Sequence, residues 1–382
     1  MTKQTKKEQA TKKHLSAPDL KLLLLLIVLS LAGTLMIFSA STAYAQTRFG
    51  DAYYFVKRQT LWLTIGIITM LAVSRIPALR FSKYALPIFI CSLVLLALVP
   101  LLGSEAGGAR RWLALGPFTF QPSELSKTAL ILMLSRYFAQ EHVQDAMAKR
   151  GGKNILYGIV YPILLFLSIA LLVLLEKHLS CIIILGSITV AMIFLAGGNG
   201  RILGTMCFGG GAAVTIFALS VEYTRRRITI WRNPALYPRD GGWQTLQGLM
   251  AIGSGGVFGL GLGNSRLKHM YVSEPQNDFI FTIVCEELGL FGATIILVLF
   301  ALLVLRGFAV GGGLSDRFSS LLAMGLTTKL AIQVLLNIAV ITNALPNTGI
   351  SLPFFSYGGS SLVMLFAEMG ILLSLSKEAS IR

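Results

Sequence analysis

The stretch LLLLLIVLSLAGTLMIF, residues 22–38, holds seventeen residues without a single charge. With its flanks it is long enough for a helix to cross the roughly 30 Å hydrocarbon core of a bilayer, at about 1.5 Å of rise per residue. Comparable apolar blocks recur along the 382-residue chain, which is 54% hydrophobic and only 13% charged, with a mean hydropathy of +0.72. Water-soluble domains carry about twice that share of charge. A soluble enzyme is therefore excluded, and so is a disordered chain, which needs low hydrophobicity.

Ten spans are expected, at about 20–38, 59–74, 84–102, 122–139, 155–175, 180–196, 202–221, 279–305, 318–342 and 359–376. Each should be a helix, because lipid offers backbone N–H and C=O groups no partner. The expected fold is all-α: a polytopic integral membrane protein with about ten transmembrane helices. A basic tail, 1–19, precedes the membrane domain 20–376, and 377–382 follows it. The net charge of +16 comes from 33 Lys and Arg against 17 Asp and Glu. With both termini in the cytoplasm, the inner segments, counting Lys21 with the tail, carry 17 Lys/Arg and the short outer loops six. That is the bias a multi-pass protein of the cytoplasmic membrane shows. Its basicity thus calls for membrane lipid and no nucleic acid.

One long extracytoplasmic loop, 222–278, stands apart. Its seven basic and four acidic residues suit an anionic ligand beside the membrane, or a merely solvated surface. Its glycine-rich part, 253–263, matches neither the dinucleotide fingerprint nor the phosphate-binding P-loop, and reads as a pliant segment where backbones pack closely. Cys91, Cys181, Cys207 and Cys285 lie in apolar stretches with no C-x-x-C pair and read as buried packing residues. The histidines, His14, His142, His178 and His269, have no zinc-ligand spacing.

Ionisable residues near or inside spans are costly and mark function by default. Glu124 and Lys127, three apart on one helix face, make either a structural ion pair or a charge-balanced site whose lysine meets a phosphate. Asp278, where the basic loop re-enters the membrane, is either an N-cap for the next helix or a general base whose pKa burial has raised. Glu286 and Glu287 read as structural, Gln333 and Asn337 as interhelical hydrogen-bonding groups. Lys329 and Glu368 can pair with each other or with other spans.

Five motifs then fall in order: Gly108-Ala-Arg-Arg-Trp-Leu113, Gln121-Pro-Ser-Glu-Leu-Ser-Lys127, Ala251-Ile-Gly-Ser-Gly-Gly256, Glu274-Pro-Gln-Asn-Asp-Phe-Ile-Phe281 with Glu286-Glu-Leu-Gly289, and Leu352-Pro-Phe-Phe-Ser-Tyr-Gly-Gly-Ser-Ser361. Together they resemble the SEDS family of bacterial cell division, elongation and sporulation, over about residues 20–376. The resemblance implies a membrane glycosyltransferase that polymerises lipid II, an undecaprenyl-diphosphate-linked disaccharide pentapeptide, on the outer membrane face. It also implies a partner, a class B penicillin-binding protein that crosslinks the strands as a transpeptidase. The family's catalytic aspartate falls on Asp278, its Glu/Lys pair on Glu124 and Lys127, and its motif arginine on Arg111. The sequence departs from the family pattern at Glu176-Lys177-His178, where a proline is common.

These residues fit inverting transfer. Asp278 would take the acceptor hydroxyl proton, while Lys127, Arg111, Arg266 and Lys268 would neutralise the leaving diphosphate. The sequence names no certain cofactor and leaves metal dependence open. A divalent cation, Mg or Mn, held by Glu124 at the diphosphate is the one candidate. Two competing classes are a flippase for the lipid-linked precursor, which would spread charges through the membrane, and a non-catalytic scaffold for the transpeptidase, which gives Asp278 no task.

Overall fold

The computed structural model describes residues 17–380, apart from 107–108, 117, 149–151, 199, 201–203, 206–208, 212–219, 221, 239–241, 269–270 and 272–273. The helices are α1 (Leu20–Phe49), α2 (Tyr54–Val73), α3 (Ala78–Leu102), α4 (Pro122–Phe138), α5 (Glu141–Ala148), α6 (Tyr161–Leu175, extended by a π-helical turn at Leu156–Val160), α7 (Leu179–Leu195), α8 (Glu222–Arg232), α9 (Trp243–Ser254), α10 (Ile280–Gly312), α11 (Arg317–Ile341) and α12 (Gly359–Ser376). Seven are long and apolar enough to cross a membrane, and α7 is a shorter apolar helix. The chain is a polytopic membrane protein. The expected seventh span, 202–221, lies mostly outside the described residues, as do His14, Cys207, Arg239, Asp240 and His269.

The fold is mostly helical, as expected, and the loop after α3 adds a small antiparallel sheet of β1 (Ser104–Ala106), β2 (Ala109–Leu115) and β3 (Phe118–Phe120). Paired strands satisfy the backbone of a loop that must lie over the bundle's end. The 222–278 segment contains helices α8 and α9. One expectation is corrected: Cys91 is exposed on the outside of the bundle rather than buried, because α3 buries one face only.

Packing follows composition. Leu24, Leu31, Ile68, Val94, Leu171 and Leu302 point outward and remain exposed, as suits lipid. α4 differs: it is 17 residues long and buries most of them, including Ser123, Glu124, Ser126 and Lys127. It is a central helix, in contact with α3, α7, α11 and α12. Asn337 ties the two loops at one end of the bundle, donating to the main-chain oxygens of Asp278 at 2.8 Å and Ile350 at 2.7 Å. Arg111 Nη2 donates to the Lys177 carbonyl at 2.8 Å in the same region. At the opposite end, Arg306 pairs with Asp19 at 2.6 Å, Lys377 donates to Ser74 O and Arg317 to Ala196 O. The start of α1 and the end of α12 therefore share that opposite end.

The glycine-rich segment is a strap across a broken helix. α10 loses helical geometry at Gly289, whose φ of 67° and ψ of −170° suit glycine. The freed carbonyls of Glu286 and Glu287 accept from Leu260 N and Gly261 N, both at 3.0 Å, while Leu290 N and Phe291 N donate to Gly256 O and Val257 O. The main chains lie so close that a Cβ at Gly259 would overlap the Glu287 carbonyl. This is the close packing expected of residues 253–263.

Candidate functional site

A cavity of about 450 Å³ opens at the end of the bundle opposite the termini, lined by Asp278, Glu124, Lys127 and Arg111 among others. Each comes from a different local reason. Glu124 sits in the first turn of α4, where Pro122 starts the helix and the helix dipole favours a carboxylate. One turn on, Lys127 Nζ donates to Glu124 at 2.8 Å, and both side chains are buried. Arg111 hangs from strand β2, its guanidinium spanning to the main chain at Glu176 and Lys177.

Asp278 precedes α10 without capping it. The cap position is Phe279, which makes no capping hydrogen bond, and the helix begins at Ile280. The N-cap expectation is thereby corrected, and the carboxylate is left to the cavity. Its backbone is fixed by Asn337, and the neighbouring Gln276 carbonyl accepts from Tyr357 N at 2.8 Å. Burial, with the charge of Glu274, pushes the Asp278 carboxyl up to about 6, against its own backbone hydrogen bond and the Arg227 guanidinium, which lower it. The group is thus a carboxylate at neutral pH, yet basic enough to accept a proton. Arg227 is held over the site by a 3.0 Å hydrogen bond to the Asn347 carbonyl.

The other two cation candidates are not brought to the cavity. Lys268 is buried in an ion pair with Glu287 at 3.1 Å and also donates to Gly263 O and Ser39 Oγ. Arg266 is exposed on the strap, its backbone N donating to Glu286. Glu286 and Glu287 hold the strap down, as a structural role requires. Lys329 pairs with Glu368 in the middle of the bundle, the first of the pairings left open by sequence.

The cavity also recruits residues that the motifs do not single out. Arg58 and Trp62 come from α2, Gln333 from α11, and Tyr357 and Ser361 from the loop and start of α12. Arg58 stacks over Tyr54 at 4.3 Å and lines the cavity together with Tyr357. His178 also lines the cavity, its Nδ1 at 3.4 Å from Ser123 Oγ. Burial, then the charges of Arg111 and Lys127, push its pKa down to about 3, so the imidazole is neutral. Beside it Glu176 is buried with neither carboxyl oxygen hydrogen-bonded among the described residues. Burial lifts it to about 8 despite Arg111, so it is protonated at neutral pH. Among the described residues no group of three or more His, Cys, Asp or Glu could hold a metal. The cavity's carboxylates are Asp278 and Glu124.

A cavity with one basic carboxylate and several cations can deprotonate a hydroxyl beside a bound anion. The chain is similar to several known proteins. A family model for FtsW, RodA and SpoVE, described as "Cell cycle protein", matches residues 20–381. "Stage V sporulation protein E" of Bacillus subtilis is 38% identical over 366 residues, covering 95% of this chain and 98% of that protein. "Probable peptidoglycan glycosyltransferase FtsW" of Geobacter sulfurreducens is 39% identical, covering 95% and 96%. Among solved structures, a chain from "Structural coordination of polymerization and crosslinking by a peptidoglycan synthase complex" superposes with a TM-score of 0.78 at 27% identity, covering 94% of this chain and 98% of that one. Rod shape determining protein RodA of Thermus thermophilus gives 0.70 at 27%, covering 95% and 98%.

Proposed function

The chain belongs to the FtsW/RodA/SpoVE family, and on that premise we propose that it is a peptidoglycan glycosyltransferase of cell wall synthesis, polymerising lipid II at the outer face of the cytoplasmic membrane. The observation that carries this reading is the convergence of Asp278, Glu124, Lys127 and Arg111 on one cavity. Residues 154 positions apart in the chain meet where a hydroxyl, an anomeric carbon and a diphosphate could be held together.

In the reaction the acceptor sugar hydroxyl loses its proton to the Asp278 carboxylate as its oxygen attacks the anomeric carbon. The bond from that carbon to the phosphate oxygen breaks, with inversion, and the undecaprenyl diphosphate leaves with the bonding electrons. Lys127 and Arg111 stabilise the charge that develops on the leaving group. Glu124 orients Lys127. A divalent cation bound at the diphosphate would add positive charge there, with Glu124 as its protein oxygen donor. The cavity end is the extracytoplasmic end in this reading, supported by the excess of Lys and Arg in the segments at the other end. A transpeptidase of the class B penicillin-binding type is the natural partner, since a similar chain was solved in a synthase complex that couples polymerisation with crosslinking.

The flippase reading has less support: among the described residues the buried charges run from the cavity to Glu368 and stop, without a continuation to the other end. The scaffold reading leaves a buried, basic carboxylate in a cavity without a purpose. Reconstitution of the purified protein with lipid II, alone and with its transpeptidase, tests the proposal. Wild type should give glycan ladders, and Asp278→Asn, which keeps shape and removes the base, should be slower by about 10²–10⁴-fold. A variant polymerising at the wild-type rate would remove Asp278 from the chemistry.

A further inference from the structure

Below the cavity floor lies a second space of about 20 Å³, lined by Glu124, Lys329, Gln333, Ser351, Ser356 and Ser361 among others. Of these, Glu124, Gln333, Ser351, Ser356 and Ser361 also line the cavity above. The void has room for about one water with several polar partners. Lys329 faces it from α11, fully buried, and is held from behind by Glu368 of α12, which also accepts from Thr128 of α4. Glu124 therefore has two lysines within electrostatic reach, Lys127 on the cavity side and Lys329 across the void, while Glu368 acts on Lys127 in turn.

The arrangement has a consequence for substrate binding. In the unliganded site Lys127 Nζ is engaged with Glu124 at 2.8 Å. To meet a diphosphate it must loosen that pair, and an unpaired carboxylate in a water-poor interior is strongly disfavoured. We infer that Lys329 is a positioning residue: it stands in as the counter-ion of Glu124, across the small void, when Lys127 turns to the substrate diphosphate. Glu368 restrains Lys329 and so sets how readily the exchange occurs. The proposal rests on the glycosyltransferase reading for its ligand, and a strut that merely joins α11 to α12 is the alternative.

Two variants separate them by the sign of the effect. Lys329→Met with Glu368→Met removes the pair without leaving a net charge. It should bind undecaprenyl diphosphate roughly tenfold more weakly and raise KM for lipid II, the usual scale of coupling within one ion-pair network. Glu368→Gln keeps Lys329 charged but frees it toward Glu124, and should bind undecaprenyl diphosphate more tightly than wild type. Binding is measured on the purified full chain in detergent, with thermal unfolding as the check on folding, and KM and kcat on the reconstituted enzyme. Glu368→Gln binding no better than wild type, or a folded double variant binding equally well, overturns the inference while the ladders of the wild type still stand. If the double variant does not fold, Glu368→Gln alone decides. Wild type that binds undecaprenyl diphosphate but makes no ladders sinks the glycosyltransferase reading and leaves the counter-ion exchange intact; wild type that does not bind it sinks both.

Discussion

Among the described residues are three buried lysine–glutamate pairs, and two of them, Lys268–Glu287 and Lys127–Glu124, differ in what surrounds them. Lys268–Glu287 is enclosed: Ser39 Oγ and Ser265 N bind the same carboxylate, Gly263 O takes the ammonium, and neither residue lines the cavity. Lys127–Glu124 has no such surround, and both members face the cavity. The difference teaches that burial of charge does not mark a site by itself. What marks it is a pair whose remaining hydrogen-bonding capacity is directed at open space.

The contrast can be broken at its strongest point first. Lys268→Met should strand Glu287 and cost about 3–5 kcal/mol of stability, as removal of one partner from a closed buried pair does. Thermal unfolding in detergent measures this, and an unchanged midpoint would mean the strap is not held by charge. Lys127→Met should lose roughly 10²–10³ in kcat, the scale of one deleted transition-state donor, with a smaller loss of stability because Lys329, across the small void, remains as a counter-ion for Glu124. If its main effect were unfolding, the two pairs would be the same kind of object.

Two pH experiments sharpen the comparison further. With the Asp278 carboxyl raised to about 6, kcat/KM should fall about tenfold per unit below that pH, where the base is protonated. A profile flat from 5 to 8 would assign the base elsewhere. Glu176, lifted from 4.5 to about 8, holds its proton in the fold when the unfolded chain has lost it. Stability should therefore decline as pH rises from 4.5 to 8 and level off above. Glu176→Gln should flatten that slope, and an unaltered slope would show that the carboxyl is solvated.

Much of this was legible before any fold was in view, for identifiable reasons. The spans follow from uninterrupted apolar runs, and Asp278, Glu124, Lys127 and Arg111 lie in motifs long enough to be specific. α1 runs on to Phe49 because Ser39 and Ser41, polar to a hydropathy reading, are buried against other helices. The sheet at 104–120 escaped because its strands are short. His178, Glu176, Arg58 and Tyr357 reach the cavity from separate loops and helices, so no local pattern announces them. Arg266 and Lys268 are basic and near Asp278 in the chain, but the strap that carries them is bound to α10 well away from the cavity. Proximity in sequence was the wrong guide there.

Glu368 is the last ionisable side chain on its helix before the loop that leads to the terminus, and below it Met369, Ile371, Leu372, Leu373 and Leu375 fill the bundle. A living membrane is also an electrical insulator. Apolar packing of that kind would deny ions a continuous route past the paired charges, so a cavity open at one end need not discharge the cell's voltage.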